Sequence, residues 1–169
     1  MTSVWLTLAA CLAASYCDVR SRRIPNWLIG SLALAALAVH SFSGLRAVAI
    51  SLLVMAVLTA AGTLIYSKGG IGGGDIKLAI AASGMLSYPL CVPFLLYSAI
   101  GGGILAVGFI VLRGNARASL SRAMSITMGV PQEDASRKRA MLPYAVAFAF
   151  GAALIALSQS VAPFLRITL

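Results

Sequence analysis

The sequence predicts an all-α integral membrane protein with six transmembrane helices and a short amphipathic interfacial segment between the fifth and the sixth. Three observations lead there. Apolar residues fill 60% of the 169 positions and charged residues only 10%, whereas a soluble domain carries about a quarter charged. Mean hydropathy is +0.97. The basic residues behind the net charge of +9 stand between apolar runs, not on one polar domain, which points to anionic lipid headgroups and away from a nucleic-acid partner.

A helix needs roughly 20 mostly apolar residues to cross the hydrocarbon core. Residues 2–17 supply the first span. They lack a charged n-region and an A-x-A site, so they read as a retained span and not a signal peptide. Residues 27–42 supply the second, opened by Pro25-Asn26, a turn compatible with a helix start. Residues 45–66 supply the third and 141–163 the last. The stretch 76–112 is too long for one span and tight for two, with a turn near Ser87-Tyr88-Pro89 dividing it. The fourth span begins at Asp75 and is short: residues 76–87 rise only about 18 Å at ~1.5 Å per residue. It is either buried among its neighbours or thins the bilayer locally. Ala79, Ala81, Ala82, Ser83 and Gly84, with Gly101-Gly102-Gly103 in the next span, suit close helix packing and carry no chemistry of their own. In the 113–140 loop, Leu120 and Met124 stand four apart among Arg117, Ser119, Ser121 and Arg122, the pattern of a helix lying in the interface and ended by Pro131. No repeat or linker divides the chain, so residues 1–169 read as one membrane-embedded domain.

Charge placement fixes the span count, because lysine and arginine concentrate in cytoplasmic loops. With six spans, eleven of the 13 basic residues fall on one face, leaving Arg46 and Arg166 opposite. A five-span count would send the six-charge loop from Arg113 to Arg139 to the other side. The six-span reading places both termini on the periplasmic or exterior side. Cys11, Cys17 and Cys91 have no C-x-x-C spacing for zinc or redox work and read as small buried hydrophobes.

Asp18 and Asp75 are the only acidic residues in the first 132 positions. Each stands where an apolar span meets a loop, and this topology puts both on the cytoplasmic face. An ionisable group at the edge of a low-dielectric phase is costly to keep, so two of one kind read as a functional pair. Two carboxylates a few ångströms apart cannot both ionise easily, which provides an acid and a base from one residue type and suits aspartic hydrolysis of a peptide. Two spans separate them, so pairing requires the corner between the first and second spans to pack against the fourth. Gly72-Gly73-Gly74 leaves a backbone that an extended peptide can approach. A phosphate nest there is the weaker reading, since the P-loop spacing is absent and Asp75 would repel an anion. Asp75 is also a fitting N-cap residue.

Gly72-Gly73-Gly74-Asp75-Ile76-Lys77 fits G-x-G-D-x-K, Asp18 lies six positions before Ile24-Pro25-Asn26, and Pro143-Tyr144 opens the last span. On these residues the chain resembles the type IV prepilin peptidases, membrane aspartic proteases of the GxGD class. The resemblance implies an aspartic endopeptidase that removes the basic leader of a prepilin or pseudopilin just before its hydrophobic helix, at the cytoplasmic face. It implies Asp18 and Asp75 as catalytic residues, with no metal or other cofactor. Gly72, Gly74, Lys77, Pro25, Asn26, Pro143 and Tyr144 would bind substrate or shape the loops. Lys77 would bias Asp75 or hold its loop without being catalytic. The first loop lacks the paired cysteines of longer members, so methyltransferase activity is not expected; the chain is similar to the short peptidases of tight-adherence, Flp-type pilus systems. Glu133 and Asp134 read as a solvated pair, or as contacts for a basic leader. A different function class is a small proton- or cation-coupled carrier, or a pilus or secretion assembly subunit. Against a carrier, both acids lie at one face and not near the midplane.

Overall fold

The computed structural model describes residues 1–67, 72–113 and 144–167. The described residues form six α-helices and no strand: α1 (Thr2–Ser21), α2 (Asn26–Ser41), α3 (Leu45–Ser67), α4 (Gly73–Leu86), α5 (Cys91–Arg113) and α6 (Tyr144–Ile167). The expected interfacial segment, with Glu133, Asp134 and Pro143, lies outside them. Three helices are long and apolar enough to cross a membrane: Thr2–Ser21, Leu45–Ser67 and the Cys91–Gly108 part of α5. Asn26–Ser41 and Tyr144–Ser160 are shorter apolar helices. Large apolar side chains cover the outside, among them Trp5, Leu12, Trp27, Leu34, Leu53 and Val57, a surface that water would not tolerate and lipid does. The chain is a membrane protein.

Helix α4 answers the question that its length raised. Among the described residues it is the one helix that touches the other five, and every residue from Ala81 to Ser87 is buried. A helix of 14 residues therefore serves as a central post shielded by longer neighbours. The turn near Ser87-Tyr88-Pro89 divides α4 from α5 where the sequence expected it.

Small residues set the packing around this post. On α6, a Cβ at Gly151 would stand 2.9 Å from the backbone carbonyl of Phe94 and 2.9 Å from the backbone nitrogen of Ser98. Glycine alone lets α5 and α6 meet backbone to backbone there. Phe94, fully buried, stacks on Phe148 with ring centroids 6.1 Å apart. Helices α3 and α5 both lean on α4 without contacting each other, which leaves a gap between them among the described residues.

Candidate active site

Asp18 sits inside α1, in its last turn, and not beyond its end. The helix continues past residue 17 and closes at Arg22, which takes a left-handed conformation (φ 51°) and donates its backbone N–H to the Asp18 carbonyl at 2.8 Å. The extra turn decides where the side chain points. Val4, Thr7, Cys11 and Ala14 form the buried stripe of α1, and position 18 continues it at helical spacing. Arg20 leaves this stripe and donates from Nη1 to the Tyr16 hydroxyl at 2.9 Å.

Asp75 is the third residue of α4, with Gly72 as N-cap in extended conformation. A Cβ at Gly72 would lie 2.9 Å from Asp75 Oδ2. The glycine therefore leaves the space into which the carboxylate folds back over the helix start. Free N–H groups and the positive dipole end of α4 favour a carboxylate there.

The corner contact that pairing demands is present. Helix α1 packs on α4, and Ile24, between α1 and α2, covers Gly74, with its Cβ 3.7 Å from where a side chain on that glycine would begin. Asp18 and Asp75 are thereby brought close enough for the charge of one to act on the other. Both carboxylates are half-buried, and Asp18 Oδ2 is shielded with no hydrogen-bond partner among the described residues. A sheltered, unpartnered carboxylate oxygen costs stability and is open to a proton or a water.

Two residues missed by sequence reasoning complete the arrangement. Ala145, fully buried in the first turn of α6, directs its backbone N–H at the Asp18 carboxylate. Its carbonyl accepts the Ser15 hydroxyl at 2.8 Å. Ser15 precedes Asp18 by three positions, so one face of α1 grips the start of α6 twice. The signal for Ala145 was its place beside Pro143-Tyr144 at a helix start, where backbone donors are free.

The other expected residues divide. Gly72 and Gly74 shape the start of α4 as described above. Pro25 is the N-cap of α2 and Asn26, exposed, its first residue. Tyr144 opens α6 and lines a cavity of about 500 Å³ that also reaches Asp75. Lys77 is exposed, and residues two apart on a helix do not share a face. Among the described residues, no three potential metal ligands gather at one place.

The model of the type IV leader peptidase family matches residues 5–107, a stretch that holds both aspartates. The chain belongs to that family. Membership in the leader peptidases makes it a peptidase and agrees with its apolar helices. No curated protein and no solved structure matches it.

Proposed function

We propose that this leader peptidase is an aspartic endopeptidase that removes the basic leader of a prepilin or pseudopilin at the cytoplasmic face of the inner membrane. The observation that carries the reading is the convergence of Asp18 and Asp75, from helices separated by two others in sequence, at the Asp75 end of α4. One carboxylate is ionised and takes a proton from a water held between the two. The resulting nucleophile attacks the scissile carbonyl carbon, whose oxygen is polarised by the proton on the other carboxyl. Collapse of the tetrahedral diol breaks the C–N bond, and a proton passes from carboxyl to leaving amine. The Ala145 N–H orients Asp18, and Gly72 gives Asp75 its room. The bare backbone around Gly72 accepts the extended peptide. Anionic lipids would hold the basic loops at the membrane surface.

The test is leader removal from a prepilin by the purified protein in vesicles. Loss of cleavage in both Asp18→Asn and Asp75→Asn is the expected result. Undiminished cleavage in either variant rejects the dyad. Mass spectrometry of the product reports the scissile bond, and an unmethylated N-terminus is expected.

A further inference from the structure

The cavity beside Asp75 is a groove that opens sideways. Helices α3 and α5 form its walls, α4 its floor and the start of α6 one end. Among the described residues α3 and α5 make no contact, so no described residue closes the groove on the side away from α4. Its lining on α3 is Leu58, Ala61, Gly62 and Ile65, one helical stripe with small residues at its centre. Along α5 the lining runs from Leu95 to Ala106, about 16 Å or three helical turns.

Two features describe the occupant. Asp75 is the only charged residue in the lining, and it stands at one end. Small residues along both walls let a helix backbone come close, the mode by which helices associate in lipid.

We infer that the groove between α3 and α5 receives the apolar helix of the substrate from the lipid, with the helix N-terminus at Asp75. This rests on the peptidase reading above. Cleavage just before an apolar helix places the scissile bond at the carboxylates and the helix along the groove. The positive dipole end of that helix and the basic leader before it then face the two carboxylates. The volume accommodates one face of about three turns, while the opposite face stays in lipid.

Photo-crosslinking in the Asp75→Asn protein tests the groove without requiring turnover. Probes replacing Ala61 and Gly103 are expected to capture a prepilin through its apolar helix, and probes at the lipid-facing Leu34 and Val57 are not. Capture confined to Leu34 or Val57 overturns the inference, as does crosslinking at Ala61 and Gly103 only to lipid or to residues 114–143 of the same chain. A second arm fills the groove. A Cβ at Gly103 meets nothing within 4 Å, so Gly103→Trp enters open space. It is expected to lower kcat/KM on the prepilin about ten-fold, mainly through KM, with Val57→Trp unchanged. Wild-type processing by Gly103→Trp contradicts the groove. Cleavage surviving in the aspartate variants removes the dyad and leaves the crosslink map intact, so the two failures are distinguishable.

Discussion

The two ends of α4 are built on opposite principles. At its C-terminal end every residue from Ala81 to Ser87 is buried, and the last carbonyls, which a helix leaves without partners, are met from outside. Ser51 Oγ donates to the Gly84 carbonyl at 2.8 Å, and His40 Nε2 lies 3.2 Å from the carbonyls of Gly84 and Met85. At the N-terminal end, by contrast, Asp75 is half-buried under the field of a second carboxylate. Next to it Asp18 keeps an unpartnered oxygen. One end is anchored, its terminal carbonyls met, although Ser83 Oγ there is buried without a partner among the described residues. The other brings two carboxylates together with one oxygen unpartnered, and such local cost in charged groups marks a site kept for chemistry.

The sharpest way to break this comparison is at the carboxylates. Asp18→Asn and Asp75→Asn are each expected to lower prepilin cleavage about 10³-fold or more, without lowering the thermal unfolding midpoint in detergent, because each removes a poorly compensated buried charge. A large fall in that midpoint would mean that the aspartates hold the fold and not the reaction. Next comes Gly72→Ala. A methyl group there displaces the Asp75 carboxylate, with an expected loss of about ten- to a hundred-fold in kcat and little change in unfolding; equal kcat in the two proteins would show that the carboxylate does not need the space.

At the anchored end the order reverses, and stability should fall more than catalysis. Ser51→Ala and His40→Ala each leave a buried carbonyl with one partner fewer and are expected to cost about 1–2 kcal/mol, read by unfolding in detergent. Loss of activity without loss of stability in these variants would tie the far end to the chemistry directly. Gly151→Leu, which forces α5 and α6 apart, is expected to cost about 1–3 kcal/mol in the same measurement. The smallest effect belongs to Lys77→Ala. An exposed lysine on the other side of α4 from Asp75 contributes little through water, so kcat/KM should stay within about two-fold, and a ten-fold loss would restore the role that its position in the motif suggested.

Much of the framework was legible because hydropathy is a local property. The apolar runs foretold all six described helices, and the division of 76–112 at Ser87-Tyr88-Pro89 is where α4 gives way to α5. Asp18 was legible as a site but not in its setting. It was expected at the edge of a loop and stands within α1, because the helix continues through Cys17 and Asp18 to a left-handed close at Arg22. Hydropathy falls before the helix ends, and only the cap marks the true end. The link from Ala145 to Asp18 was not readable, since a helix start announces free N–H donors but not their partner, which lies 127 positions away.

What the sequence determined alone was the solvent: a chain this apolar belongs in lipid, and two acids at the ends of apolar segments belong where lipid meets water. The lateral arrangement was decided by tertiary structure. In a soluble protein the buried stripe of a helix differs in composition from its wet face, but here core and lipid are both apolar, so periodicity does not tell one from the other. Small residues such as Gly62, Gly74 and Gly151 select which helices approach closely, and that selection makes α4 the centre, turns Asp18 inward and leaves the gap between α3 and α5.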